Sequence, residues 1–441
     1  MNKYFLVSIL ILAATTTAWA QSRQVPAPDQ QAPILLLGGQ IHPISAPTIP
    51  DGWVLMEEGK ITAIGSGVVP DLENDARVVQ LEGRHVYPGL VAADSQLGLV
   101  ETGMVDVTHD HDEYGSWTPE TRAYIALNPD SDLLPVTRAA GIMTAMVNPD
   151  GGRMPGRSTV IRLDGWTPED LAIDREAALV IEWPRSGGSF RRGPGGRGGG
   201  GGGGSDRSAD QMQEIDEFFE AAEVYHTARQ HDPTVKPDLR YDAMQPAMQG
   251  DVPILVKAST AAQIESAVTW ANTRELDIVI LGGEESDRVA DLLVEYDVPV
   301  ILRGVHRSPV SRHVAPHAPH ELPRVLHEAG ITFCIAPRDR PAHIRNLPHH
   351  AATAAAHGLP REVALRCVTL NAAEIIGQGD RLGSIEPGKS GTLIITSGDP
   401  LELTTDVELA FIDGREIDLA SRHTQLRDKY REKYRQQGRI N

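Results

Sequence analysis

The chain has 441 residues, of which 41% are hydrophobic, and 60 Asp and Glu outnumber 41 Lys and Arg to give a formal net charge of −19. That acidity argues against a nucleic-acid partner and against an anionic membrane surface. Two cysteines, Cys334 in ITFCIA and Cys367 in VALRCVTL, make no disulfide framework and read as buried small hydrophobes.

Residues 1–20, MNKYFLVSILILAATTTAWA, read as a cleaved export signal. Lys3 supplies the positive start, Phe5 to Ala14 an apolar run too short to span a bilayer, and Ala18-Trp19-Ala20 a small-x-small cleavage site. The expectation is a periplasmic protein without a membrane anchor, starting at Gln21. Residues 21–32 read as an unstructured lead-in. Short strand-like pieces punctuated by Gly and Pro follow over 33–86, and the same grammar returns over 382–416. The two ends together predict one small β-sandwich.

Between them, apolar strands alternate with helical stretches over 87–381. GIMTAMVNP, AALVIEWP, VPILVKA, DIVILGG, VPVILRGV and ITFCIAP read as buried parallel strands. AAQIESAVTWANTREL carries Ile264, Val268 and Ala271 at helical spacing. Strand and helix in alternation predict a (β/α) barrel or a doubly wound sheet. Residues 187–207 hold seven consecutive glycines, Gly198 to Gly204, and read as a flexible surface loop rather than a phosphate cradle, because the GxxxxGK[ST] spacing is missing. Residues 417–441 read as a charged helix whose Leu419, Leu426, Tyr430 and Tyr434 form a stripe that docks on the domain surface.

The order of these parts, with PGLVAADSQLGL, GGRMPGRSTVIRLDGW and the block from Asp380 to Glu402, resembles the amidohydrolase superfamily, in particular its imidazolonepropionase-like exported branch. The resemblance implies an α/β fold: a metal-dependent-hydrolase-type (β/α)8 TIM barrel carrying the small β-sandwich. It also implies a metal at the C-terminal mouth of the barrel, held by two histidines on the first strand, a carboxylated lysine on the fourth, histidines on the fifth and sixth, and an aspartate on the eighth. Imidazole and carboxylate suit zinc-type ions, which bring a bound water to a pKa of about 7.

This sequence departs from that pattern. Asp94 and Gln96 stand at the two first-strand histidine positions, Glu182 lies on the fourth strand, and Lys257 stands where the fifth-strand histidine belongs. The sixth strand offers Gly282 with Glu284 just beyond, and the eighth Arg338 or Asp339. An amide is a poor zinc-type ligand and an ammonium repels the ion. The expected mouth therefore holds Asp94, Gln96, Glu182, Lys257, His306 and Asp339 and no tightly bound metal, with a single zinc-type ion as the alternative. His306, ending VPVILRGVH, and Asp339 are the acid–base candidates. His109 and His111 in THDHDE, and His313, His317 and His320 in RHVAPHAPHE, read as solvated loops, with a metal cluster as the alternative for each; His349 and His350 read as polar residues opening a helix.

Two functions remain open. One is a hydrolase of non-peptide carbon–nitrogen bonds with a degenerate metal site. The other is a catalytically inactive relative that binds a small molecule or a partner, including a homo- or hetero-oligomer with a related amidohydrolase. Lys257 is expected to pair with Asp94, and with Glu182, in the space the metal would fill.

Overall fold

A computed structural model describes residues 25–72, 76–185, 204–309, 314–337 and 340–440, with the side chains of 204–207 excepted. The export signal, most of the glycine-rich segment, His313, Arg338 and Asp339 lie outside the described residues.

The strands are β1 (Ile34–Ile41), β2 (Ile49–Glu57), β3 (Lys60–Ser66), β4 (Arg77–Gln80), β5 (His85–Pro88), β6 (Leu90–Ser95), β7 (Ile142–Val147), β8 (Gly156–Arg162), β9 (Ala172–Glu182), β10 (Ile254–Ala258), β11 (Ile278–Gly282), β12 (Val300–Arg303), β13 (Phe333–Ala336), β14 (Leu393–Thr396), β15 (Val407–Ile412) and β16 (Arg415–Glu416). The helices are α1 (Leu133–Arg138), α2 (Pro168–Leu171), α3 (Gly204–His231), α4 (Leu239–Met248), α5 (Ala261–Thr273), α6 (Ala290–Glu295), α7 (Ala318–Glu328), α8 (Leu347–Ala356), α9 (Arg361–Arg366), α10 (Leu370–Ile375) and α11 (Arg422–Gln436).

Both chain ends enter one eight-stranded sheet, ordered β16-β15-β14-β5-β1-β2-β3 with β4 alongside β1. The seam is the antiparallel pairing of β5 with β14, Tyr87 opposite Ile394. Ile34, Leu36, Val54, Met56, Leu393 and Phe411 form its core. The lead-in is not loose from residue 25 on. Gln30 takes the Gly59 N–H on its amide oxygen and donates to the Met56 carbonyl, and the Ala27 N–H reaches Asp164.

The second sheet runs β6 to β13 in order. Val91, Ala93, Val180, Leu255, Leu281 and Ile301 face inward as one cluster, while Leu90, Leu179, Val256 and Ile280 face the helices, the period-2 alternation of a strand buried on both faces. The ring is completed by a segment that is not a strand. The Val91 N–H donates to the Val368 carbonyl and the Ile335 N–H to the Cys367 carbonyl, so residues 367–368 bridge β6 and β13. Cys334 and Cys367 are both buried and free.

Two expectations need correction. The third strand, β8, runs antiparallel to both β7 and β9. The chain between β7 and β8 is residues 148–155, too short for a parallel crossover, so the connection is a hairpin. The terminal helix α11 buries none of its residues, although a stripe was expected to dock. Leu426, Tyr430 and Tyr434 stay 38%, 49% and 38% exposed; only Leu419, ahead of the helix, packs on the core.

Candidate functional site at the barrel mouth

The inward rows of the barrel change chemistry at their C-terminal ends. Val180, Leu255 and Ile301 lead, two residues on, to Glu182, Lys257 and Arg303, and Met146 leads to Asn148. Asp94 joins them where the pairing of β6 with β7 shifts register between Ala92 and Ser95. Gly282 ends β11 with φ of +126°, and Gly283 follows it with φ of +66°. A Cβ at either would meet the Ala258 carbonyl at 2.6 Å or Val300 at 2.5 Å, so only glycine lets Glu284 follow so closely.

Asp94 is buried, and both its oxygens are engaged. Arg303 donates from Nε to Oδ2 at 2.6 Å and from Nη2 to Oδ1 at 3.1 Å, and Asn148 Nδ2 donates to Oδ1 at 2.8 Å. Asn148 is itself held, its backbone N–H on the Ser95 carbonyl and its side-chain oxygen accepting from Ser158 Oγ at 2.6 Å. Burial pulls the Arg303 pKa down, but the Asp94 carboxylate outweighs it and the net direction is up; Asp150 and Glu284 act the same way.

Lys257 does not pair with Asp94. Its ammonium, on a side chain 7% exposed, donates to the Pro149 carbonyl and to Asp150 Oδ1, both at 3.0 Å. Burial opposes ionisation of Asp150, yet the Lys257 ammonium more than compensates and holds the carboxyl below its ordinary range. Glu182 is opposite Lys257 in the β9–β10 register, and its carbonyl accepts from Arg153 at 2.5 Å. Gln96 lies just beyond β6, where its carbonyl closes a turn with the Leu99 and Val100 N–H groups.

His306 is drawn elsewhere. It is exposed, shares a 2.6 Å hydrogen bond with Thr353, and stacks 4.1 Å from the His350 ring on α8. His350, expected as a polar residue opening a helix, is 1% exposed, and burial together with His306 and His349 lowers its pKa to about 3. His320 was expected in a solvated loop. It sits on α7, with Nδ1 at the Val305 carbonyl and its ring 5.0 Å from that of His357. Pro319 is tolerated there because it occupies the first turn. His317 stays exposed beside Glu321. The rings of His109 and His111 are 5.5 Å apart, and the His111 carbonyl receives the Asp150 N–H at 2.7 Å, so this loop abuts the mouth.

Arg303, Asn148 and Asp150 are the site residues that sequence reasoning missed. Arg303 stands at the true end of its strand, three residues before the histidine chosen for it. Asn148 and Asp150 lie immediately after the GIMTAMV strand, where barrel-mouth residues belong.

The amidohydrolase family model matches residues 205–417. An amidohydrolase, tasK, from Hapsidospora irregularis is 21% identical over 395 residues, covering 82% of this chain and 39% of its own; the chain thus spans about two fifths of that relative's length. The crystal structure of an amidohydrolase from Thermotoga maritima MSB8 superposes with a TM-score of 0.74 at 24% identity, covering 87% of this chain and 99% of that one. An adenosine deaminase from Xanthomonas campestris with bound zinc gives 0.51 at 17% identity, over 93% and 100% of the two chains. The family match is confined to residues 205–417, a little under half of the chain, and the solved structures share its fold.

Proposed function

We propose that this protein is an exported amidohydrolase-family hydrolase of non-peptide carbon–nitrogen bonds, in which fixed side-chain cations stand in for the divalent metal of its relatives. The observation that carries the reading is the pair of cations, the half-buried Arg303 and the buried Lys257, at the inward ends of β12 and β10. The donors around them do not fit a zinc-type ion. Asp94 is fully engaged by Arg303 and Asn148, and Lys257 brings a charge of the metal's own sign. Among the described residues no group of three or more His, Cys, Asp and Glu is placed to hold a metal.

Attack of water on a carbonyl or amidine carbon forms a C–O bond and moves the π pair onto the carbonyl oxygen or the amidine nitrogen, which gains negative charge before the C–N bond breaks and the amine leaves. Preorganised cations in a partly dry mouth stabilise that charge. Asp150 stays ionised and is too weak a base to take a proton efficiently near neutrality. The proton acceptor in this reading is an imidazole at the rim, His111, whose backbone carbonyl takes the Asp150 N–H.

A second reading, ligand binding without turnover, is favoured by one feature. The bidentate Arg303–Asp94 pair leaves neither oxygen of Asp94 free to act on a substrate. One experiment separates the two. Metal content of the purified protein is measured against a dialysed control, alongside hydrolysis of amides, cyclic imides and ureas with and without chelator. The proposal expects no stoichiometric metal and a chelator-insensitive activity that Arg303→Met abolishes. About one zinc per chain with chelator-sensitive activity overturns the metal-free mouth. Saturable binding with no turnover selects the second reading.

A further inference from the structure

The molecule carries two oppositely charged surfaces that fit one another. From Ala209 to Glu223, α3 holds Asp210, Glu214, Asp216, Glu217, Glu220 and Glu223 and no Lys or Arg. Beside it, α3 and α5 enclose an open groove of roughly 780 Å3, with Met212 and Trp270 on its floor and Asp216, Glu220 and Glu265 on its walls. Its one cation, Arg274, is shared among Asp216, Glu220 and Glu223, the Glu220 contact being the longest at 3.6 Å, so three carboxylates of the lining, Asp216, Glu220 and Glu265, face a single guanidinium and the groove stays net negative. At that volume the groove holds more than a single side chain.

The other surface is α11. Residues 421–441 hold seven Lys and Arg against Asp428 and Glu432, the reverse of the chain's overall balance. At 100° per residue, Leu426, Tyr430 and Tyr434 form one stripe, flanked by Lys429 and Lys433 on one side and Arg427 and Arg431 on the other. The helix is about 22 Å long and buries none of its residues. It lies beside α1, next to β7, whereas the groove flanks β9 to β11, so a helix cannot fill the groove of its own chain.

We propose that α11 of one copy docks in the α3–α5 groove of a second copy, with Tyr430 over Trp270 and the flanking cations against Glu220 and Glu265. An anionic lipid surface would suit the helix alone, but the strongly acidic body would repel it. Groove and helix together need no other partner, and reciprocal docking makes a closed pair.

The test is sedimentation of the full mature chain at low and high salt, with three variants. We expect association that weakens by about tenfold or more at high salt. Removing residues 421–441 and, separately, the E220K/E265K change should each give monomers with unchanged melting temperature. Adding K429E and K433E to the E220K/E265K chain should restore association, which a merely misfolded groove would not. A monomer at all concentrations, or association that survives both losses, overturns the proposal. So does a monomer that floats with phosphatidylglycerol vesicles only when α11 is present, which assigns the helix to lipid.

Discussion

At the scale of single residues, the mouth is governed by which carboxylate each cation chose. Arg303→Met leaves Asp94 buried with only Asn148 as partner. Breaking a buried pair costs about 3–5 kcal/mol, and because the Arg303 side chain is 30% exposed, water screens part of it, so about 2 kcal/mol is expected in denaturant titration. Asp94→Asn in the same chain should recover at least half of that loss. Lys257→Ala should show little such coupling to Asp94, since its carboxylate partner is Asp150, half exposed and free to rehydrate. Strong Lys257–Asp94 coupling with a silent Arg303 would restore the pairing read from the sequence. That reading went astray for a physical reason. Period-2 alternation correctly aims Glu182 and Lys257 inward, but a long flexible ammonium then selects its partner by reach, which spacing along a strand does not encode.

One half-buried imidazole, His42, and one buried imidazole, His350, add a pH dependence at the same scale. His42 is lowered to about 4 by burial and by neighbouring His85, and His350 to about 3. Both remain neutral in the folded protein while the same groups in the unfolded chain, near the ordinary 6.5 of histidine, take up protons. Their stabilisation is complete above about pH 6.5 and is lost as pH falls through 6.5 toward 4 and then 3. Asp150, lowered from 3.8, loses its contribution only below that value, while Glu101, raised from 4.5 by burial, acts in the opposite sense within the window, so the histidine part is read from the His→Gln variants. Thermal midpoints should fall across it, less so in His350→Gln and His42→Gln. Midpoints that do not differ between the wild type and the two His→Gln variants from pH 6.5 to 4 would contradict the lowered pKa of both rings.

At the scale of elements, the loop beside the mouth depends on two glycines. Gly151 and Gly152 have φ of +87° and +66°, and a Cβ on Gly152 would meet the Gly115 carbonyl at 2.8 Å and Ser116 Cα at 2.9 Å. Gly152→Ala therefore combines a strained backbone with a backbone clash and should lift the 109–117 loop from the 149–154 turn. Limited proteolysis should cut within 101–117 faster than in the wild type, while barrel amides keep their exchange rates. Unchanged cleavage would mean that the loop is held by other contacts. Much of this scale was legible: alternating apolar runs located β7 and β9 to β13, and the Gly/Pro grammar at both ends anticipated strands of one sheet. The antiparallel β8 was not, because its apolar alternation reads alike in either direction and only the short 148–155 connection distinguishes them. Helix α11 was legible as a helix, but not as an undocked one, since an amphipathic stripe names a face without naming what covers it.

At the scale of the molecule, the barrel and the two-ended sheet are joined by a buried charge. Asp164, 2% exposed in its side chain, follows β8 and accepts from Arg138 of α1 at 2.6 Å and from the Ala27 N–H at 3.0 Å, with Arg415 of β16 at 3.4 Å. One carboxylate thus holds a barrel helix, the edge of the terminal sheet and the segment that precedes β1. Arg138 is 4% exposed, and its burial lowers its pKa against the pull of Asp164, the direction expected of a cation that depends on its partner. Asp164→Ala should therefore cost about 3–5 kcal/mol, far more than an exposed pair, and adding Arg138→Met should return part of it. The loss should also be uneven. With the three-way joint gone, amides of β14 to β16 should exchange faster than those of β9 to β11, because the barrel core does not pass through Asp164 while the anchoring of β16 does. Equal acceleration in both sheets would show that the two units unfold as one through the β5–β14 seam alone, and an unchanged midpoint would show that Asp164 joins nothing.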